Sequence, residues 1–577
     1  MDNSQVARVL AEMADIREVR GDNAFKIRAL RAAAEAIESL PFDVERAATE
    51  PEKLREIRGI GESIAKKIVE ICSTGTCAEH QTLLLEFPAS LLELLQVEGV
   101  GPKKVKLFHE ALGVNTVADL EAAARSGNVR GLPRMSALLE EKLLKAIEGY
   151  RSRTGRLLLS WAEEAAERLV EMLRALPGVR RVEAAGSLRR RRETVGDLDI
   201  LASCDDPGAA MDRFSRAGEV IVRGETKCSI RLTSGAQADL RIVPGESFGA
   251  ALHYFTGSKA HNVAVRTLAV KKGLTINEYG VFEALPDGSA GRRLSGENEE
   301  DIFAALGLPW IPPELREDRG ELQAAAEGRL PRLIEIGDIQ GDVHMHTTTT
   351  DGSADIETMA LAAAERGRKY IAITDHSKAL AMARGLDEER LRAHAAEIDA
   401  VDRSLGGRVR VLKGIEVDIL LDGALDLAAD ALLALDVVIG SIHSLFHLPR
   451  EEMTARLVRA IESGVIDIVA HPTGRLLLRR DPYPLDMEKV LAAAAARGVA
   501  METSAFPDRL DLSDVHCRMA RDLGVKIVMS TDSHAPGHLD LMRFGVDTAR
   551  RGWLEAKDVL NTRGPDEFLR LLHDGHR

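Results

Sequence analysis

The sequence predicts a multidomain chain of mixed α+β and α/β class: a helical N-terminal third, an α+β middle and a C-terminal distorted (β/α) barrel. Three observations predict it. A Gly-hydrophobic-Gly hairpin between helical patterns occurs twice, at 59–61 and 99–101. Aspartates alternate with apolar residues at 197–201, as in a strand with one polar face. After residue 336, short apolar runs alternate with Ala-rich helical patterns and end near histidines or carboxylates, as in barrels that carry a site at the carboxyl ends of their strands.

Length and composition limit the class of protein. A chain of 577 residues exceeds what one hydrophobic core usually supports, so several domains are expected. With 45% hydrophobic and 29% charged residues it is typical of globular proteins, and no apolar run is long enough to cross a bilayer. The N-terminus lacks a signal-type apolar segment, and the five cysteines form no C-x-x-C pair. We therefore expect a cytoplasmic protein without a membrane partner, in which histidines and carboxylates carry any metal chemistry.

The formal net charge of −14 at first argues against a nucleic-acid partner. The acidic excess is not evenly spread. Residues 336–577 hold 30 Lys+Arg against 39 Asp+Glu, whereas residues 151–250 hold 17 against 15. Because the surplus of acidic residues is concentrated where metal cations are expected, the net charge does not exclude a DNA partner.

The two glycine hairpins lie in a repeat, since the pattern of 54–68 recurs at 94–108. Glycine permits positive φ and lets backbone N–H groups approach a phosphate, and the following helix turns its N-terminus toward the same anion. This helix-hairpin-helix pattern predicts sequence-independent binding of DNA backbones by Gly59, Gly61, Gly99 and Gly101. A third copy near 132–136 lacks both glycines, so we expect it to serve only packing.

The middle of the chain carries a carboxylate pattern. Asp197 and Asp199 are two residues apart in a strand, so both point to one face, and their repulsion favours a divalent cation between them. With Asp239 in another strand-like run, three carboxylates can hold two metal ions. Upstream, Gly186-Ser187 and the arginines after it offer backbone, hydroxyl and guanidinium donors to a triphosphate.

With these motifs, and with the segments 251–258 and 275–279, residues 1 to about 315 resemble the family X DNA polymerases, which include DNA polymerase beta. The resemblance implies a nucleotidyltransferase-type palm with a thumb. It implies that Asp197 and Asp199 bind Mg²⁺ or Mn²⁺ and that Asp239 acts at the primer terminus. It places Ser187 and Arg190 on the triphosphate, Tyr254 and Phe255 under the sugar and Asn262 near the base. The implied nucleotide-binding set is Gly186, Ser187, Arg190, Gly196, Tyr254, Phe255, Gly257, Ser258, Lys259 and Asn262.

Residues 1–80 are similar to the lyase domain of that family, and Lys67 matches the lysine that forms a Schiff base with an abasic sugar. The sequence departs from the family at Ser63, where a second basic residue is usual, and at Phe25, where an aromatic hydroxyl is usual. These departures favour a phosphate-binding role for Lys67 over lyase chemistry.

The last third predicts a second enzyme. Strands are expected at 370–374, 409–412, 437–440, 466–470, 500–502 and 525–530. Histidines and carboxylates near their ends resemble the PHP (polymerase and histidinol phosphatase) domain, whose site holds up to three ions. The resemblance implies three ligand sets: His344, His346, Glu416 and Asp532; Glu416, His443 and His471; and Asp351, His376 and His534. Mixed His and carboxylate ligands suit Mn²⁺ or Zn²⁺, and such clusters hydrolyse phosphoesters. The segment 502–504 departs from the usual Glu-hydrophobic-Asn, and we expect it to alter the pocket rather than the metals.

The predicted domains follow these motifs. They are a lyase-like helical domain (1–85), a second helix-hairpin-helix domain (86–150), the palm (151–245), the nucleotide-selecting thumb (246–315), a linker (316–335) and the PHP barrel (336–577).

Together the modules predict a monomeric repair polymerase that binds gapped, nicked or primed DNA, adds dNTPs and trims 3′ ends at the PHP site. That site could act as a 3′-5′ exonuclease, a 3′-phosphatase or an abasic-site endonuclease. One alternative is a DNA end-processing phosphoesterase whose polymerase module mainly positions DNA. The intact carboxylate triad argues against it. A second is a non-catalytic end-bridging protein, against which two complete metal constellations count.

Overall fold

A computed structural model describes residues 3–38, 44, 48, 51–57, 59–97, 99–153, 156–233, 235–286 and 289–574. The chain divides into two compact units, Met1–Thr154 and Gly155–Arg577. Among the described residues, no helix combines the length and the apolar character needed to cross a membrane.

The first unit is helical. Its helices are α1 (Asn3–Arg20), α2 (Ala24–Glu38), α3 (Pro51–Glu56), α4 (Glu62–Thr74), α5 (Ala78–Glu86), α6 (Pro102–Leu112), α7 (Val117–Arg125) and α8 (Ala137–Arg153), with 3-10 turns at Ala89–Gln96 and Val129–Gly131. Apolar residues at helical spacing, such as Ile64, Ile68 and Ile71 on α4, face a shared core. Leu132 of the degenerate third copy packs against this core.

Both glycine hairpins have the conformation that the repeat predicts. Gly59 and Gly99 adopt φ of +92° and +75°, in the left-handed region where glycine has no steric penalty. Gly61 and Gly101 are the N-caps of α4 and α6. All four glycines are exposed, so the hairpin backbone is open to a ligand.

The palm opens the second unit. Its elements are β1 (Leu157–Leu158), α9 (Leu159–Arg174), β2 (Val179–Ala184), α10 (Gly186–Arg189), β3 (Thr194–Val195), β4 (Asp197–Cys204), α11 (Pro207–Ser215), β5 (Glu219–Arg223), β6 (Lys227–Arg231) and β7 (Gln237–Ile242). Five strands form a sheet in the order β2-β4-β7-β6-β5, in which only β4 and β7 run parallel.

The thumb follows with α12 (Phe248–Thr256), α13 (Lys259–Lys271), β8 (Leu274–Asn277), β9 (Gly280–Ala284), β10 (Ala290–Ser295) and α14 (Glu300–Ala305). Its three strands form an antiparallel sheet. The predicted linker, 316–335, is folded and contains α15 (Glu321–Ala326). Two of its charged side chains are fully buried and paired: Arg316 lies 2.6 Å from Glu299, and Glu321 lies 2.7 Å from His261.

The C-terminal module is a parallel barrel. Its elements are β11 (Gly341–Asp342), α16 (Ile356–Glu365), β12 (Tyr370–Ile373), α17 (Glu388–Ser404), β13 (Arg410–Asp418), α18 (Ala429–Leu432), β14 (Val437–Ser441), α19 (Arg450–Glu462), β15 (Ile468–Val469), α20 (Met487–Arg497), β16 (Ala500–Ser504), α21 (Asp514–Asp522), β17 (Ile527–Ser530), α22 (Met542–Arg551) and α23 (Pro565–His573). The strands follow chain order, and a parallel bridge between Met345 and Ser533 brings the two ends of the sheet together. The nearly closed barrel confirms the predicted fold class.

Palm and barrel share a packed core. Phe544 on α22 and Leu510 before α21 are buried in the same apolar cluster as Leu159, Leu188 and Val195 of the palm. The two modules of the second unit are therefore joined by burial of apolar surface, which is the main stabilising term in folding.

Candidate active sites and their family

The palm carboxylates come together because two parallel strands are in register. Asp199 on β4 lies opposite Asp239 on β7, and Asp197 lies opposite Gln237. Residues two apart on one strand share a face, so Asp197 joins the other two. Burial, together with the charges of Asp197 and Asp239, raises the pKa of Asp199 to about 7. Three crowded carboxylates of this kind fit divalent cations, which relieve their repulsion.

Asp239 is held in the charged form by its neighbours. Lys227 Nζ lies 3.0 Å from Asp239 Oδ2, and Gln237 Nε2 donates to Oδ1 at 2.9 Å. Burial raises the pKa of Asp239, but these hydrogen bonds and the lysine charge bring it below the ordinary value. Lys227 was not anticipated from the sequence, because its contact depends on the pairing of β6 with β7.

The turn that starts at Gly186 approaches this triad. Gly186 has φ of +62°, and a Cβ atom there would overlap Oδ2 of Asp199. Only glycine allows both the backbone conformation and the close approach. The predicted triphosphate loop therefore lies directly beside the predicted metal ligands.

The arginines after this turn are engaged with the thumb and with the segment that follows it. Arg189 lies 2.6 Å from Glu299 Oε1 and donates to Thr256 Oγ1 at 2.7 Å. Arg190 donates from Nη1 to the carbonyl of Thr256 at 2.5 Å and from Nε to Glu317 at 3.1 Å. A Cβ on Gly257 would lie 3.2 Å from Arg190 Nη1, so the palm turn meets the segment that begins at Gly257.

The other predicted nucleotide residues lie on or next to the first two thumb helices. Tyr254 and Phe255 are edge to face, with ring centroids 5.1 Å apart. Ser258 caps α13, and Lys259 is exposed on the first turn of that helix. Asn262 is buried and donates to the carbonyl of Tyr254 at 2.7 Å. Gly196, just before β4, lies beside Arg156.

Lys67 in the first unit is not a free amine. Its Nζ donates to Ser63 Oγ at 2.9 Å and lies 3.2 Å from Glu79. Both partners compete with any electrophile or phosphate for the amine. Phe25, at the position of the usual aromatic hydroxyl, is 74% exposed and offers no hydroxyl.

The barrel brings the nine predicted ligand residues to the carboxyl ends of its strands. Glu416 on β13 lies at the centre. His376 Nδ1 is 2.8 Å from its Oε2, and His471 Nε2 and His443 Nε2 are 3.1 and 3.4 Å from its Oε1. His344 Nε2 and His346 Nε2 are 3.5 and 3.6 Å from Oε2.

The outer carboxylates complete the cluster. Asp532 Oδ1 lies 3.2 Å from His346 and 3.6 Å from His344. Asp351 Oδ2 lies 3.3 Å from His376 and 3.6 Å from His534. Three groups have their ligand atoms within 4.8 Å of one another: His346, Asp351, His376 and His534; His344, His346 and Glu416; and His376, Glu416 and His443. Glu416, His346 and His376 each belong to two of these groups, whereas the sequence-based sets share only Glu416.

The lack of well-oriented hydrogen-bond partners for several buried atoms, among the residues that the structure describes, is separate evidence that these residues can hold metal cations. The buried atoms His344 Nε2, His346 Nδ1 and Nε2, His376 Nδ1 and Glu416 Oε2 lie within ion-pair distance of neighbouring groups, but none of them has a well-oriented hydrogen bond among the described residues. Buried polar atoms normally have partners. Several such atoms converging on one point therefore indicate cations.

The protonation of the cluster follows from burial and mutual charge. Burial, with the charges of His534 and His376, lowers the pKa of His346 to about 4, so this imidazole stays neutral and can act as a ligand. Burial alone would lower the pKa of His376, but Glu416 and Asp351 raise it to about 10. Burial would raise the pKa of Glu416, yet the surrounding histidines hold it well below its ordinary value.

A layer of supporting residues lies behind the ligands. Glu502 Oε1 lies 2.7 Å from His344 Nδ1 and accepts from Ser530 Oγ at 2.8 Å, while its Oε2 accepts from the backbone N–H of His471 at 2.6 Å. Glu502, the residue of segment 502–504 that keeps the usual glutamate, is fully buried beside the predicted ligand His344. The expectation that the departures at Thr503 and Ser504 alter the pocket rather than the metals stays a prediction. Asp375 likewise accepts from Thr347 Oγ1 at 2.7 Å and contacts His394 at 2.9 Å. Its place next to His376 was the only sequence signal for this role.

Comparison with known proteins identifies the modules. Family models match residues 1–77 (helix-hairpin-helix domain), 91–149 (SAM-like helix-hairpin-helix tandem), 251–317 (DNA polymerase beta thumb) and 342–512 (PHP domain). The chain is 38% identical over 568 residues to the DNA polymerase/3'-5' exonuclease PolX of Bacillus subtilis (strain 168), covering 98% of each chain. The chain belongs to the family X DNA polymerases with a PHP domain.

The barrel of this family X polymerase also has relatives of its own. A probable phosphatase of Shewanella sp. (strain MR-4) is 33% identical over 251 residues, which are 41% of this chain and 92% of the phosphatase. A probable phosphatase of Thermoanaerobacter sp. (strain X514) is 28% identical over 232 residues, 38% of this chain and 89% of its own. Polymerases and PHP proteins depend on metal ions, in agreement with the donor sets of this chain.

Proposed function

We propose that this family X polymerase fills gaps in damaged DNA and trims 3′ ends with its PHP barrel as a 3′-5′ exonuclease. The observation that carries the first half is the register of Asp199 with Asp239 beside Asp197. The dense His and carboxylate cluster, with its unpartnered buried donor atoms, supports the second half. The substrates are dNTPs and gapped, nicked or primed DNA, the enzyme acts as a monomer, and its place of work is the cytoplasm, on the nucleoid DNA.

In the polymerase reaction, the primer 3′-oxygen forms a bond to the α-phosphorus of a dNTP. The bond from that phosphorus to the bridging oxygen breaks, and pyrophosphate leaves. Asp197, Asp199 and Asp239 would hold Mg²⁺ or Mn²⁺, which neutralise the phosphates and make the attacking hydroxyl more acidic. Lys227 and Gln237 keep Asp239 charged and oriented at the primer terminus.

The nucleotide would be held from the palm and from the thumb. The backbone at Gly186, the hydroxyl of Ser187 and the guanidinium of Arg190 are proposed triphosphate donors, with Gly196 beside them. Tyr254, Phe255 and the segment Gly257, Ser258 and Lys259 would line the sugar side. Asn262, whose Oδ1 is buried without a hydrogen bond among the described residues, would face the base.

In the exonuclease reaction, water attacks the last phosphodiester. The bond from phosphorus to the 3′-oxygen of the penultimate nucleotide breaks, so a nucleoside monophosphate and a new 3′-hydroxyl are formed. The ligands proposed for up to three Mn²⁺ or Zn²⁺ ions are His344, His346, Asp351, His376, Glu416, His443, His471, Asp532 and His534. Glu502 orients His344, as outer carboxylates do for ligand histidines.

The first unit would hold the DNA. The exposed hairpins at Gly59, Gly61, Gly99 and Gly101 offer backbone N–H groups to phosphates without regard to base sequence. Lys67 is proposed as a phosphate contact rather than a Schiff-base lysine, because the departures at Ser63 and Phe25 disfavour lyase chemistry. A phosphate would displace its present partners, Glu79 and Ser63.

A second candidate activity of the barrel is 3′-phosphatase action, and abasic-site cleavage is a third. The likeness of the barrel to probable phosphatases over nine-tenths of their length favours the phosphatase. In that reaction the leaving group would be a 3′-hydroxyl and the product inorganic phosphate.

The test is product analysis with the intact chain. A 5′-labelled primer across a short gap should lengthen only when dNTPs and Mg²⁺ or Mn²⁺ are present. Without dNTPs it should shorten and release nucleoside monophosphates. If the protein releases only inorganic phosphate, from DNA with 3′-phosphorylated ends, the barrel is a phosphatase and not an exonuclease. A chain that never extends the primer would contradict the polymerase proposal.

A further inference from the structure

The palm turn that carries the proposed triphosphate donors is held by the barrel. Arg191 donates from Nε to Asp547 Oδ2 on α22 at 2.8 Å and from Nη1 to Glu163 at 2.6 Å. Arg551, the last residue of α22, donates from Nη1 to the carbonyl of Arg190 at 2.6 Å. Because Arg191 is a non-glycine residue at φ of +57°, this turn needs support from outside itself.

The side chain of Arg190 is linked to the barrel through one carboxylate. Glu317 Oε1 lies 3.1 Å from Arg190 Nε and 3.0 Å from Arg551 Nη1. All three side chains are largely buried, with exposures of 14% for Arg190, 12% for Glu317 and 3% for Arg551. Burial raises the pKa of Glu317, but the charges of Arg551 and Arg190 bring it below its ordinary value. A carboxylate shared by two buried guanidinium groups stays charged.

These contacts engage two of the three nitrogens of the Arg190 guanidinium. Nε bonds to Glu317 and Nη1 bonds to the carbonyl of Thr256. Nη2 makes no hydrogen bond within the described part of the chain, so it remains available to a phosphate oxygen. An arginine that is already held through two of its nitrogens loses less conformational freedom on binding an anion, which favours binding.

Apolar burial also attaches the two modules, beside these charged contacts. Phe544 on the same helix is 1% exposed inside the palm core, and apolar burial there joins palm and barrel. The contacts of Glu317 and Arg551 meet at Arg190, at its side chain and at its carbonyl. Arg551 Nη2 also donates to Asp514 Oδ2 at 2.8 Å, within the barrel.

We propose that Glu317 and Arg551 are positioning residues of the polymerase site, which hold Arg190 ready for the triphosphate of the incoming dNTP. The barrel helix α22 thus completes the nucleotide site of the palm. This inference rests on the proposed role of Arg190 in triphosphate binding. It explains why a barrel residue donates to the palm turn itself and to the carboxylate that orients its arginine.

The test is steady-state gap filling by the full chain, with KM for dNTP and kcat measured separately. Glu317→Ala and Arg551→Ala should each raise KM by roughly tenfold while changing kcat less. Glu317→Gln, which keeps an acceptor, and Arg551→Lys, which keeps the charge, should recover part of the loss. In the background of Arg190→Ala, the change Glu317→Ala should add nothing further, because the residue that it positions is gone.

Arg550→Ala is the matched control. Arg550 is the neighbouring residue of α22 and also pairs with a glutamate, Glu314, at 2.7 Å, but within the described part of the chain it makes no hydrogen bond or ion pair with the palm turn. It should leave KM unchanged. Exonuclease activity and the melting temperature of each variant report on folding.

The outcomes separate the inference from the proposed function. If Arg190→Ala raises KM while Glu317→Ala and Arg551→Ala match the wild type, the positioning role is wrong and the nucleotide role of Arg190 stands. If Arg190→Ala leaves KM unchanged, the proposed nucleotide role itself fails. Parallel loss of polymerase and exonuclease activity in Glu317→Gln would mean a general structural role and would overturn the positioning role.

Discussion

Gly186 and Asp199 lie so close that any side chain at residue 186 would occupy the place of the Asp199 carboxylate. The contact joins the proposed triphosphate loop to the proposed metal ligands, since one comes from the turn after β2 and the other from β4. A glycine that the sequence predicted for its N–H group proves to be required by sterics as well.

We expect Gly186→Ala to lower primer extension by about a hundredfold, because the new methyl group displaces Asp199 from its place among the proposed metal ligands. The exonuclease should be unaffected. Gly178→Ala is the control, because Gly178 also has a left-handed φ, of +80°, but faces only Asp205. It should cost about 1 kcal/mol of stability without loss of extension. Normal extension by Gly186→Ala would show that the loop does not need to approach the triad.

The raised pKa of Asp199 predicts a pH dependence of the polymerase. With a pKa of about 7, this carboxyl is charged at pH 8 and mostly protonated at pH 6. The half-saturating Mg²⁺ concentration for extension should therefore rise about tenfold between pH 8 and pH 6. The measurement is the single-turnover extension rate against Mg²⁺ at constant ionic strength. A half-saturating concentration that does not change with pH would contradict the crowded triad.

Glu502→Gln should weaken metal binding in the barrel by about ten- to a hundredfold, because the carboxylate that orients His344 becomes neutral. Exonuclease activity should fall at low Mn²⁺ and recover as Mn²⁺ is raised, while primer extension is kept. Glu488→Gln, an exposed change on α20, serves as control. If Mn²⁺ dependence is the same in both variants, Glu502 does not support the ligands.

Glu299 contributes stability that depends on pH. Burial would raise its pKa, but hydrogen bonds and charges from Arg189 and Arg316 hold it far below the ordinary 4.5. Its stabilisation is present above pH 4.5 and is lost as the pH falls toward the folded-state pKa. Glu299→Gln should lower the free energy of unfolding by about 3 kcal/mol at pH 7, and the difference from wild type should shrink below pH 4.5.

Urea unfolding followed by tryptophan fluorescence would check this, since Trp310 Nε1 donates to Glu299 at 2.9 Å. Glu283→Gln, which removes an exposed pair with Arg292, should change stability by less than about 1 kcal/mol. A pH-independent difference for Glu299→Gln would refute the ion-pair account.

Local pattern was enough for much of the fold and of the site. The two-residue spacing of Asp197 and Asp199 indicated a shared face, and the positions of His376 and Glu416 near the ends of apolar runs indicated a barrel rim. Motifs in the sequence also indicated which modules the chain contains. The relative that matches 98% of the chain confirms the predicted family. Which ligand belongs to which ion stays a prediction.

What the sequence could not reveal depends on contacts across long separations. Glu502 and His344 are 158 residues apart, and Arg551 and Arg190 are 361 apart, so no local spacing relates them. The charged segment 316–335 suggested a linker because composition does not tell a solvated charge from a buried pair. Arg316 is buried in a pair with Glu299, and Glu321 is buried in a pair with His261. Only the tertiary structure brings these partners together.

We propose that one chain carries two separable active sites for the same DNA end. The most direct measurement follows a 5′-labelled primer on gapped DNA, with and without dNTPs, in two double variants. Asp197→Ala with Asp199→Ala should only shorten the primer, and His344→Ala with His346→Ala should only lengthen it. If the aspartate pair still extends the primer, or the histidine pair still degrades it, the corresponding site has been assigned wrongly.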